Sequence, residues 1–172
     1  MAGNAAGFFL FKTSVPSLEL LEYLKTREEV RWAAAVFGPY QVVGYVMAPD
    51  YPHLARTAEK LRQTPGVVHL DARMVKPIPE DDHLDKMEIC GPERSVLLIN
   101  VDYRKETERA VTLKIRRIPQ IVLARAMWGP DDIIAIAQAD DHEGMRNLIC
   151  DQVKVMPAVS GTTTLYCYPA TI

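Results

Sequence analysis

The residues of this chain that could do chemistry are scattered rather than grouped. Its four histidines, His53, His69, His83 and His142, stand at no H-x-x-x-H or H-E-x-x-H spacing, so no two imidazoles share a helix face around a zinc ion. Carboxylates adjoin at Glu28-Glu29, Glu80-Asp81-Asp82, Asp131-Asp132 and Asp140-Asp141. With no nucleophile or cofactor motif beside them, they read as solvated surface rather than acid/base pairs. No G-x-S-x-G elbow, Walker loop or G-x-G-x-x-G is present. Arg116-Arg117 closes a predicted helix, where cations complement the helix dipole. Three distant cysteines, Cys90, Cys150 and Cys167, form neither a disulfide framework nor a CxxC metal pattern. They read as free thiols in a reducing compartment, the cytoplasm. The expectation is no metal, no cofactor and no catalytic residue.

Composition narrows the classes further. The 172 residues are 48% apolar and 24% charged, with 20 basic against 22 acidic side chains and a net charge of −2. That is an ordinary globular balance, without the basic excess that holds a phosphate backbone. No apolar run approaches the roughly 20 residues of a membrane span. The apolar opening, Ala5 to Phe11, has no basic residue before it and reads as a first strand.

What would position any site is a duplication. Phe37-Gly38-Pro39 recurs as Trp128-Gly129-Pro130, 91 residues later by their numbers. An apolar strand follows each, Val42 to Val46 and Ile133 to Ala137, and each strand leads to an acidic helix start at Asp50 or Asp140-Asp141. Thr64-Pro65-Gly66-Val67 then matches Met156-Pro157-Ala158-Val159, the offset grown to 92 by one inserted residue. A period of about 90 residues exceeds any solenoid unit and indicates two domains. Within each copy, apolar runs of strand length alternate with helical faces such as Leu18, Leu21 and Leu24. The predicted order is β-α-β-β-α-β, twice, the ferredoxin-like arrangement. We expect an α+β chain with a first domain over 1–79, a linker over 80–94 and a second domain over 95–172. Trp32 to Phe37 has no polar face, so the sheets are expected to pack face to face, as in a dimeric α+β barrel.

At this level the chain resembles the effector-binding domain of Lrp/AsnC-type regulators. Gly129-Pro130-Asp131-Asp132-Ile133-Ile134, Met156-Pro157-Ala158-Val159 and Thr162-Thr163-Thr164 are similar to that family's G-x-Y-D turn and P-G-V-x-x-T-x-T ending. The first strand begins near Phe8, leaving no room before it for the family's helix-turn-helix. The resemblance implies a ligand site at Gly129, Asp131, Asp132, Thr162 and Thr164, with a carboxylate for an ammonium and hydroxyls for a carboxylate. In the first copy Gln41, Leu70 and Ala72 stand at the acid and threonine positions, so that site looks degenerate. The function implied is a stand-alone regulatory module, not an enzyme. It would bind an amino-acid-like effector, form homo-oligomers or mixed oligomers with full-length regulators, and touch neither DNA nor membrane. The alternatives are a small monooxygenase-like α+β-barrel enzyme, for which His69 is the best-placed polar group, and a purely structural pseudo-dimer.

Overall fold

A computed structural model describes residues 4–83 and 91–168. Cys90 and the middle of the expected linker lie outside the described residues. The chain forms two compact units, Met1–Val75 and Lys76–Ile172.

In the first unit, β1 (Ala5–Thr13), α1 (Ser17–Lys25), β2 (Val30–Ala35), β3 (Val42–Ala48), α2 (Tyr51–Arg62) and β4 (Val67–Met74) follow in order. The second repeats the series as β5 (Glu93–Val101), α3 (Glu108–Arg116), β6 (Ile121–Ala126), β7 (Ile133–Ala139), α4 (His142–Asn147) and β8 (Val159–Tyr166). Each sheet is antiparallel, in the order β2-β3-β1-β4 or β6-β7-β5-β8. The fold is therefore a tandem ferredoxin-like one, as the repeat predicts.

Helix starts are chemically marked. Asp50 accepts the His53 N–H, Thr107 the Ala110 N–H and Asp141 the Gly144 N–H, each satisfying a donor that the first turn leaves free. Leu20, Leu24, Leu54, Ala58 and Leu61 of α1 and α2 pack on Phe9, Phe11, Val42, Val46 and Leu70. That contact fixes which face of the first sheet the helices cover. Strand alternation then assigns Phe8, Leu10, Lys12, Val43, Tyr45, His69, Asp71 and Arg73 to the other face.

The residue inserted in the second copy has a visible home. After α4 the chain makes a π turn over Leu148–Val153, closed by the Lys154 N–H on the Ile149 carbonyl at 2.9 Å. The buried set Thr57, Ala58 and Leu61 of α2 becomes Leu148, Ile149 and Val153 here, one residue longer between its last two members. The wide turn keeps all three inward.

The segment expected as linker begins with a 3-10 turn, Pro79–His83. Glu80 pairs with Arg109, and Asp81 with Arg116 and Arg125, which ties this turn to α3 and β6.

Candidate functional site

The sequence-derived site occupies the second unit, and the structure gathers only part of it. Gly129 sits at φ 136°, a conformation that a residue with a Cβ rarely adopts. The Met127 N–H donates to the Asp132 carbonyl at 2.8 Å, and the Asp132 N–H to Ile99 at 3.0 Å. The Asp132 carboxylate accepts the Val101 N–H at 2.8 Å and the Tyr103 hydroxyl at 2.5 Å. Asp131 accepts the Asn100 amide at 3.2 Å. Tyr103 also lies 3.1 Å from Glu108, whose other oxygen meets the Lys76 ammonium. The Asp132 bond first, then burial, push the Tyr103 phenol above its ordinary range.

Thr162 and Thr164 are elsewhere. They pair across β8 with Ile99 and Leu97, while Ile133, next to Asp132, flanks Ile99 from the other side. Two strand spacings, about 10 Å, separate the turn from the threonines. The turn residues thus come together, and the threonines form a separate group.

The first unit explains what the turn motif is for. The Val36 N–H donates to the Gln41 carbonyl at 2.9 Å, and the Gln41 N–H to Phe11 at 2.8 Å. The Gln41 side-chain oxygen accepts the Thr13 N–H at 3.0 Å. An amide oxygen makes the same strand-end bond that the Asp132 carboxylate makes. Gly38 has φ 129°, matching Gly129. Glycine and acceptor therefore serve the hairpin in both copies, whatever else they do.

A second constellation, missed at the sequence level, lies on the helix-free face of the first sheet. His69, Asp71 and Arg73 occupy every second position of β4, opposite Lys12, Leu10 and Phe8. One Asp71 oxygen accepts Arg73 Nε at 2.9 Å, Arg73 Nη2 at 2.8 Å and the Tyr40 hydroxyl at 2.9 Å. Arg73 is only 5% exposed, so its charge is held by this carboxylate and not by bulk water. Burial works against Asp71 ionising, yet the Arg73 and Tyr40 hydrogen bonds outweigh it and hold the carboxyl below its usual range. Burial and Asp71 together raise the Tyr40 phenol. The Lys12 ammonium stands 5.7 Å from the Tyr40 ring centre, a cation–π distance. His69 is exposed at the end of the row, so it is not the inward polar group that the enzyme alternative calls for. On the same face, Phe8 and Tyr45 stack at 4.8 Å and Trp32 pairs across from Tyr45.

The row could be read from the i, i+2, i+4 spacing in Val67–Met74. Its link to Tyr40 spans 31 positions and needs the strand register.

Residues 96–170 match the family model of the Lrp/AsnC ligand binding domain. The second unit is similar to that domain. The match covers the Lrp/AsnC-like turn, the threonine run and the strands that carry them, as the resemblance implied. No curated protein matches the sequence.

Solved structures align over far more of the chain. The siroheme decarboxylase NirDL aligns with 96% of this chain and 72% of its own, at 10% identity and a TM-score of 0.67. Its co-complex with an iron-uroporphyrin III analogue gives 0.65 at 11% identity, with the same coverage. A chlorite dismutase variant from Candidatus Nitrospira defluvii aligns with 98% of this chain and 92% of its own, at 14% identity and 0.56. At such identities the likeness establishes fold.

These neighbours correct two expectations, that of a regulatory amino-acid-binding module and that of a chain without enzymatic activity. The folds that align with nearly the whole chain are those of proteins described as enzymes. Gly129 and Asp132 carry part of the resemblance, and the hairpin uses both, so their presence follows from the fold and does not by itself specify an effector. Among the described residues, no helix is long and apolar enough to cross a membrane.

Proposed function

We propose that this chain is a small ferredoxin-like enzyme that acts on a carboxylate-rich tetrapyrrole and removes a carboxyl group from it. The observation that carries the reading is the row Lys12, His69 and Arg73, with Tyr40 and Asp71, on the helix-free face of the first sheet. Lys12 and His69 stand directly opposite each other on β1 and β4, about 5 Å apart at the backbone, so two exposed cations sit side by side as a pair for the carboxylate arms of a macrocycle. Arg73 is 5% exposed with Nε and Nη2 already on Asp71, so it anchors the row, and the exposed cations Lys12 and His69 are the groups that meet a carboxylate. Fold likeness to a siroheme decarboxylase supports the substrate class.

The chemistry balances without an oxidant. The bond from the arm to its carboxylate breaks, carbon dioxide leaves, and the electron pair stays on the arm's carbon. A proton then replaces the lost group. Lys12 holds a remaining carboxylate. His69, exposed beside Asp71, delivers the proton and is recharged from solvent. The free thiols Cys150 and Cys167 support a reducing, cytoplasmic setting.

The test is titration of the full chain with iron-uroporphyrin III and with siroheme under anaerobic conditions. Visible absorbance reads binding, and mass spectrometry reads loss of carbon dioxide. Saturable spectral change and a decarboxylated product are expected. Lys12→Ala should weaken binding at least tenfold, and His69→Ala should slow product formation with binding kept. No spectral change with either compound would overturn the reading.

A further inference from the structure

The second unit holds a cavity of about 280 Å³ that the β4 row does not use, lined by Lys154, Val159, Ser160, Gly161 and Thr162. Its polar lining is one ammonium and two hydroxyls, without a carboxylate. An ammonium only donates, and each hydroxyl donates one hydrogen. Among the described residues, no carboxylate pairs with Lys154.

The local structure makes this corner specific to the second copy. The π turn ends on Lys154 and brings it beside the start of β8. Where β8 has Ser160 and Thr162, the first copy has Val68 and Leu70, which remove both hydroxyls.

We propose that this cavity binds a phosphate group, free or carried on a small metabolite. Lys154 supplies the charge, and the Ser160 and Thr162 hydroxyls donate to the oxygens. Three donors and no acid suit a tetrahedral oxyanion with several acceptors better than a single carboxylate. The volume exceeds that of a bare phosphate and leaves space for a short organic substituent. This site is independent of the tetrapyrrole reading, since it shares no residue with the β4 row.

The experiment uses the full chain, ¹⁵N-labelled, titrated at constant ionic strength with inorganic phosphate, glycerol 3-phosphate and acetate. Saturable amide shifts at Lys154 and residues 159–162 are expected with both phosphates and not with acetate. Tighter binding of glycerol 3-phosphate identifies a phosphate ester as the ligand, and equal binding identifies free phosphate. Lys154→Ala should weaken binding at least tenfold. Thr162→Val, which removes a hydroxyl at nearly constant volume, should weaken it while leaving the spectrum folded. Non-saturating shifts, acetate shifts equal to those of phosphate, or unchanged affinity in Lys154→Ala would each overturn the proposal.

Discussion

β4 and β8 hold the same place in two copies of one fold, yet their helix-free faces differ completely. β4 shows His69, Asp71 and Arg73, while the matching positions of β8 are Gly161, Thr163 and Leu165. The loops follow suit. Lys12 faces the Tyr40 ring, whereas Asn100 donates to Asp131 at the equivalent pair of positions. By contrast, the hairpin bonds made by residues 41 and 132 are the same in both units despite a change from amide to carboxylate. Bonds that shape the backbone persist through a change of residue type, while the side chains of the helix-free face have diverged.

Arg73→Ala would break this contrast most severely. It leaves Asp71 part-buried without its cation, and should cost about 2–3 kcal/mol in chemical denaturation, whereas Leu165→Met at the matching position should cost under about 1.5 kcal/mol. Equal losses would show that the row is not a charged assembly distinct from its counterpart. Gly66→Ala comes next. Gly66 has φ +91°, and a Cβ there would stand 2.7 Å from Val15, so a loss of about 1–3 kcal/mol is expected. The second unit already carries Ala158 at this corner, and Ala158→Gly should cost about 1 kcal/mol or less.

The equivalence of Gln41 and Asp132 can be sharpened by Gln41→Ala and Asp132→Ala. Each frees one backbone N–H and should lower stability by about 1 kcal/mol, while Asp132→Asn should restore most of its share. A much larger loss at Asp132 than at Gln41 would reveal a role for its bond from Tyr103. The smallest effect is a pH dependence. Asp71 has a folded-state pKa below its unfolded one, so its contribution is complete above about pH 4. It is lost as pH falls through the lower folded value. The wild type should therefore lose more stability than Asp71→Asn between about pH 4 and pH 2, as read by urea midpoints.

The duplication, the element order and the hairpin glycines were legible because they depend on short-range rules: turn chemistry, apolar period and landmark spacing. Even the π turn was present in the sequence, as the step from 91 to 92 in the offset of Gly66 and Ala158. The β4 row was partly legible, since His69, Asp71 and Arg73 alternate with Leu70 and Ala72. What the sequence could not supply was Tyr40, which reaches Asp71 only through the pairing of β1 with both β3 and β4. The strand-end bond of Asp132 was hidden for a related reason. A carboxylate in a turn looks the same on paper whether it faces a ligand or a neighbouring N–H.

The wide turn after α4 has a wider meaning for how such a fold changes over generations. One extra residue in an ordinary helix would swing everything after it by about 100° and carry Val153 off the core. Absorbed as a single loosened turn, the addition leaves Leu148, Ile149 and Val153 inward and spends itself on the solvent side. The last turn before the final strand is thus a place where length can vary without penalty to the scaffold. Through it, one copy can acquire new surface chemistry while its twin keeps the old.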